Sequence, residues 1–167
     1  VMILPVYGVM SQRASMLQDI SGGASTEQIG AAFRAAVADD SVRAIVMDYD
    51  SPGGSTFGVQ DLAAEIRAAR GVKPIIAQVN SLCASAAYWT ACQADEIVVT
   101  PGGVAGSIGV YAVHEDISEM LANEGIKPTL IRGRLGPNKA ELNGLGPIGD
   151  DALAALQERI DQEEAKF

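Results

Sequence analysis

The sequence predicts an α/β domain on a mainly parallel sheet, and three observations carry that prediction. Short apolar, β-branched runs of strand length alternate with segments whose apolar residues recur at helical spacing. Glycine, proline and capping residues punctuate the boundaries between them. Apolar residues make up 48% of 167 positions, enough to bury one core, and the 5% aromatic content makes that core aliphatic and alanine-rich.

The elements follow in order. Residues 1–10 are apolar and β-branched, a strand interrupted at Pro5 and Gly8. Residues 11–24 are polar and glycine-rich, hence a loop. Ser25-Thr-Glu-Gln28 fits a capping box, and Ile29, Phe33, Ala36 and Val37 continue at helical spacing to Asp39. Residues 42–49 read as a buried strand, ended by the turn Asp50-Ser-Pro-Gly-Gly54. Val59, Leu62, Ala63 and Ile66 mark a second helix, stopped by Gly71. Residues 74–80 form a strand, 84–92 a helix, and 96–99 a short strand before the Pro101-Gly-Gly turn. Residues 106–113 are apolar and extended. Residues 116–123 form a short helix closed by Gly125, and 127–132 a further strand. A loop rich in glycine and proline over 133–149 leads to an amphipathic helix over 150–167 with an acidic outer face. That helix reads as a solvated face, or as the junction to a further segment. There is no internal repeat.

Charge and cysteine usage exclude several functions. The net charge is −9, and the 12 basic residues are dispersed, which disfavours a nucleic-acid or anionic-membrane surface. Cys83 and Cys92 have no neighbouring ligand set, so no zinc pattern exists, and no cofactor or metal is expected. If both lay on one helix they would be about 13 Å apart along its axis, too far for a disulfide. They read as small buried hydrophobes. No apolar run reaches the roughly 18 residues of a membrane span. The chain opens inside an apolar strand, so a single domain over 1–167 is expected to be a fragment or processed form of a longer chain.

Ser85 is the candidate nucleophile. It lies among small residues in Cys83-Ala-Ser-Ala-Ala-Tyr-Trp89, at the start of a helical stretch. Close approach of an acyl group needs that clearance, and a helix start offers unpaired N–H groups and a positive dipole end to an oxyanion. The two glycines of the Asp50–Gly54 turn can direct backbone N–H groups at a ligand without side-chain obstruction. A serine hydroxyl needs a base. His114, the one histidine, has Asp116 beside it; its plainer reading is a strand-end residue bonded locally. Of four lysines, Lys73, Lys127 and Lys166 read as solvated charges, and Lys139 sits in the glycine- and proline-rich loop, where the backbone can deliver it to a pocket. The residues alone leave both bases open.

The chain resembles the signal peptide peptidase A family of Ser-Lys proteases, and especially its short phage-encoded capsid or prohead protease members. The resemblance rests on Asp50-Ser-Pro-Gly-Gly54, Ala84-Ser-Ala-Ala-Tyr88, Ala94-Asp-Glu-Ile97, Gly106-Ser-Ile-Gly-Val110 and Lys139-Ala-Glu141, in that order, with 22 residues from Ser85 to Ser107. It implies a Clp/crotonase-type fold with repeated ββα units. It implies Ser85 as nucleophile, Lys139 as general base, Ser107 orienting the lysine amine, and an oxyanion hole from the N–H groups of Gly54 and Ala86. It further implies a homo-oligomeric ring whose active sites are shared between protomers, so that Lys139 arrives from a neighbouring copy. Polypeptides are the implied substrates: scaffold or capsid proteins in the host cytoplasm or prohead for a phage enzyme, signal-peptide remnants for an envelope enzyme. Where many members carry Gly-Gly after the nucleophile, this chain has Ala86-Ala87, a departure expected to narrow the pocket. The related Clp subunit uses histidine, but none falls within 106–110 here, and His114-Glu-Asp116 reads as structural.

The dyad has a physical requirement. At an ordinary pKa, roughly one lysine in 2500 is neutral at pH 7, and lowering the pKa to about 7 takes about 4–5 kcal/mol. Desolvation supplies shifts of that size. Lys139 is therefore expected to be buried near Ser107 and Ser85 in the assembled form, with Glu141 turned away or paired elsewhere. Two rival readings are a catalytically silent assembly module and a crotonase-like acyl-CoA enzyme. The second leaves the serine and lysine unexplained.

Overall fold

The computed structural model describes residues 1–13, 22–136 and 138–167, so the predicted loop over 11–24 falls partly outside it. The chain divides into two compact units, Val1–Gly109 with Phe167, and Val110–Lys166.

The first unit is the mixed α/β architecture with a parallel sheet that the sequence predicts. Its elements are β1 (Met2–Tyr7), β2 (Val9–Ser11), β3 (Gly23–Ser25), α1 (Thr26–Ala38), β4 (Ile45–Ser51), α2 (Val59–Ala68), β5 (Ile75–Ala84), α3 (Ala86–Ala91), β6 (Glu96–Val99) and β7 (Val104–Gly106). The main sheet runs β1-β4-β5-β6, β7 also pairs with β5, and every pairing is parallel. A second, two-stranded sheet joins β2 to β3. Alternation along the strands decides which face is covered. Ile45, Met47, Tyr49 and Ser51 of β4 and Ile75, Ala77 and Val79 of β5 are buried, on the face that holds the core with Phe33 of α1, Leu62 and Ile66 of α2 and Trp89 of α3. The opposite face carries Asp48, Gln78 and Asn80; Asn80 Nδ2 donates to Asp48 Oδ1 at 2.6 Å, and Tyr7 also donates to Asp48.

The Ser25 half of the capping box expected at α1 is formed: Ser25 Oγ accepts the N–H of Gln28 at 3.3 Å. Lys73, expected as a solvated charge, instead donates from Nζ to the carbonyls of Ala36 (2.9 Å) and Asp39 at the end of α1. A cation there meets the orphan carbonyls and the negative dipole end together. The expected strand over 74–80 continues to Ala84, because β7 takes over beside β5 where β6 stops: Val79 pairs with Val99, and Leu82 with Val104. Cys83 therefore lies on a strand, not on the helix with Cys92, and both are free thiols.

The second unit holds α4 (Ser118–Asn123) and α5 (Asp150–Glu164). The expected strand over 127–132 is not formed, and neither is strand structure over 107–113. A strand leaves its backbone groups unsatisfied unless another strand pairs with it, and among the described residues no strand lies within this unit. Neither α4 nor α5 has a buried residue, and Leu153 is 50% exposed.

Candidate active site

Ser85 stands at the junction of β5 and α3. Its N–H donates to the Gly106 carbonyl at 2.9 Å, closing the ladder with β7. Its carbonyl accepts the Trp89 N–H at 2.9 Å, opening the helix. To serve both elements it adopts φ 53° and ψ −124°, a left-handed conformation for a residue with a Cβ. Such a conformation costs about 1–3 kcal/mol and persists only where surrounding bonds over-determine it. The result is a sharp strand-to-helix turn at Ser85. Ser85 is half-buried, flanked by Ala84 and by the buried Ala86 and Ala87.

The glycine turn after β4 lies directly against this junction. The β4–β5 register shifts between Tyr49 and Ser51, and Ser51 then pairs with Cys83. Gly53 has φ 88°, and a Cβ built on it would sit 2.6 Å from the Ala84 carbonyl, 2.8 Å from the Ala86 nitrogen and 2.8 Å from Ser85 Cβ. Only glycine permits this approach. On the other side, Met10 donates its N–H to the Gly53 carbonyl at 2.8 Å and accepts the Ser55 N–H at 3.0 Å. In a trans peptide the N–H points opposite the C=O, so the Gly54 N–H points away from Met10. Among the described residues, no carbonyl accepts the N–H of Gly54 or of Ala86.

Ser107 follows Gly106, whose carbonyl bonds to Ser85. It also has a positive φ, 57°, and its side chain is exposed. Register thus brings together four of the five predicted site residues, Ser85, Ala86, Gly54 and Ser107, within the first unit.

The fifth, Lys139, belongs to the second unit. It is exposed in the single chain, in a turn where its N–H donates to the Gly136 carbonyl at 3.1 Å and its own carbonyl accepts Arg132 Nε at 2.6 Å. Glu141 is paired elsewhere, as the sequence requires: Arg132 holds its carboxylate at 3.3 Å. His114 has its Nε2 3.2 Å from the Gly146 carbonyl, 32 residues along the chain, so the strand-end residue bonded locally that the sequence suggested is instead held by a distant loop. Asp116 accepts the Ser118 N–H at 2.9 Å at the start of α4, and those Ser118 hydrogen bonds hold its carboxyl below the usual range.

The description of peptidase family S49 matches residues 67–167, a stretch that contains Ser85, Ser107 and Lys139. Capsid assembly protease C of Escherichia phage lambda is 34% identical over 99% of this chain and 37% of its own length. The head-tail preconnector protein GP5 of Enterobacteria phage P21 is 33% identical over 99% of this chain and 32% of its own length. The chain belongs to peptidase family S49. Protease 4 of Salmonella typhi is 32% identical over 65% of this S49 chain and 18% of its own length. An enoyl-CoA hydratase from Polaromonas sp. JS666 matches in structure with a TM-score of 0.45 at 18% identity, covering 85% of this chain and 67% of that one. The S49 chain thus spans about a third of the two phage relatives' length.

Several residues that brace the elements around the candidate site have roles that the sequence does not mark. Thr90 of α3 shares a hydrogen bond of 3.0 Å with Tyr49 on β4 and donates to the Ala87 carbonyl at 2.9 Å, tying the helix to the sheet. Arg70 donates to the carbonyls of Cys92 (3.0 Å), Gln93 (2.7 Å) and Ala94 (2.6 Å) after α3. Asp95, in the Ala94-Asp-Glu-Ile97 motif, accepts the Ile75 N–H at 2.8 Å and so clips the start of β5. Phe167 stacks on Trp89 with ring centroids 5.1 Å apart. Asp95 lies in a sequence motif, but its role is not marked there, because Ile75, like the Tyr49 partner of Thr90, the carbonyl partners of Arg70 and the Trp89 partner of Phe167, is distant along the chain. Among the described residues no cluster of His, Cys, Asp or Glu could hold a metal ion, and no helix is long and apolar enough to cross a membrane.

Proposed function

We propose that this chain is the peptidase part of a serine endopeptidase that cleaves peptide bonds through an acyl-enzyme on Ser85. The observation that carries the reading is the strained strand-to-helix turn at Ser85, packed against a glycine turn whose next N–H has no carbonyl acceptor among the described residues. Ser85 Oγ attacks the scissile carbonyl as its proton passes to the neutral Lys139 amine. The N–H groups of Gly54 and Ala86 take the developing oxyanion. Lys139 then protonates the leaving amine, and water, activated the same way, releases the acyl group. Ser107 orients the lysine amine.

Lysine acts as a base only in its neutral form, which desolvation favours. Lys139 is exposed in the single chain, which supports an active form in which a neighbouring copy covers it and receives it beside its own Ser85. The name of capsid assembly protease C, which aligns with 99% of the chain, supports a role in capsid assembly, and cleavage of scaffold or capsid polypeptides is the proposed form of that role.

A fluorophosphonate probe tests the chemistry. Mass spectrometry of the labelled full-length protein should place the adduct on Ser85, and Ser85→Ala should abolish both labelling and cleavage of casein. Labelling elsewhere with cleavage retained in Ser85→Ala would refute the assignment. The biological role is tested by co-expression with the capsid and scaffold proteins of the same source, where Ser85→Ala should leave the scaffold uncut.

A further inference from the structure

We propose that Ser51 is a positioning residue for the oxyanion hole: its buried hydroxyl holds the Gly53–Gly54 turn so that the Gly54 N–H is aimed at the substrate carbonyl. This rests on the acyl-transfer reading of Ser85 and extends it.

Ser51 is fully buried at the end of β4, in a core that is otherwise almost wholly apolar. A hydroxyl survives there only if its hydrogen bonds are satisfied. Its Oγ donates to the Gly8 carbonyl at 2.7 Å and accepts the Gly53 N–H at 3.1 Å. It thereby joins the β1–β2 junction to the turn. Both polar groups of Gly53 are then held, the N–H by Ser51 and the carbonyl by Met10.

The reason such a device is needed lies in the glycines. With no Cβ at 53 or 54, neither residue has a side chain whose packing could fix the direction of the Gly54 N–H. Hydrogen bonds must do so. Without the Ser51 hydroxyl, the buried Gly53 N–H and the Gly8 carbonyl lose their partner, and the turn rotates to recover one. Ser85 itself keeps its bonds to Gly106 and Trp89, so the nucleophile stays in place while the oxyanion donor drifts.

The test uses the full-length protein, an internally quenched peptide with small aliphatic residues around the scissile bond, and four variants. Ser51→Ala should lower kcat by about tenfold to a hundredfold, the scale of a donor misplaced by about 1 Å, and leave KM within threefold. Ser51→Thr, which keeps the hydroxyl, should recover most of kcat. Ile66→Ala, a core truncation on α2, should lower the melting temperature at least as far as Ser51→Ala yet keep kcat. Should Ser51→Ala not fold, Ser51→Cys, with a weakly bonding thiol, takes its place. An unchanged kcat in Ser51→Ala, equal losses in Ser51→Ala and Ser51→Thr, or a matching loss in Ile66→Ala would each overturn the proposal. Fluorophosphonate labelling of the wild type separates the two levels. If Ser85 is not labelled, the acyl-transfer reading falls and the role of Ser51 falls with it. If Ser85 is labelled and Ser51→Ala is fully active, only the positioning role falls.

Discussion

Gly53 approaches Ser85 so closely that a Cβ on the glycine would lie 2.8 Å from the Cβ of the serine. The contact fastens the end of β4 to the junction of β5 and α3, and it leaves no room for any other residue at 53.

Gly53→Ala should therefore damage the fold and the site together. The new methyl meets backbone atoms at 2.6 and 2.8 Å and adds strain at φ 88°. Overpacking and strain together should cost about 2 kcal/mol or more. Gly71→Ala is the reference, since Gly71 has φ 80° but open space around it. It should cost about 1 kcal/mol and leave peptide cleavage unchanged. Urea unfolding of both variants checks the difference, and equal costs would refute the packing argument.

The two candidate bases separate by mutation. Lys139→Ala should abolish cleavage while the far-ultraviolet circular dichroism and melting temperature stay near wild type, because the side chain is exposed in the single chain. His114→Ala should keep substantial activity, since its ring partner is the Gly146 carbonyl. It should cost at most about 1 kcal/mol, the net value of one hydrogen bond. Loss of activity in His114→Ala with Lys139→Ala still active would reverse the assignment.

Alkaline pH should destabilise the first unit through Cys83. Burial pushes its thiol from an ordinary value near 9 up to about 12, with Cys92 a smaller contributor. Between those values the unfolded chain releases a proton that the folded chain keeps. Stability is therefore full below about pH 8.5 and falls as pH rises toward 12, by up to about 1.4 kcal/mol per pH unit for this group. Tyr49 acts in the same direction, its phenol raised by burial. Melting temperatures from pH 7 to 11 should decline above pH 9. Cys83→Ala should decline less steeply from its own lower starting point; parallel curves would count against a role for the thiol.

Trp89 reports on Phe167. It is the one tryptophan in the sequence and is 3% exposed, with the Phe167 ring stacked on it. Phe167→Ala should cost about 1–2 kcal/mol and shift tryptophan emission to the red as water reaches the indole face. Unchanged emission would show that the stacking is absent in solution.

Much of the α/β core was legible because its signals are local. The capping box at Ser25, the helical spacing through Phe33, the strand run before Asp50 and the small residues around Ser85 each depend on near neighbours. The strand expected over 127–132 failed for the opposite reason. Apolar, β-branched composition favours extended backbone, but a strand exists only where a partner strand accepts its hydrogen bonds.

Ser85 could be chosen from the sequence as a nucleophile, since small neighbours at a helix start are a property of the chain itself. Its conformation was decided in three dimensions. Ser85 makes both the ladder bond to Gly106 and the first helical bond from Trp89, and it does so at φ 53°. The same holds for the residues that hold the site. Ser51 joins Gly8 to Gly53, and Thr90 joins Tyr49 to Ala87, through buried hydroxyls. A serine or threonine in a sequence carries no mark of burial, so register and packing alone assign these roles.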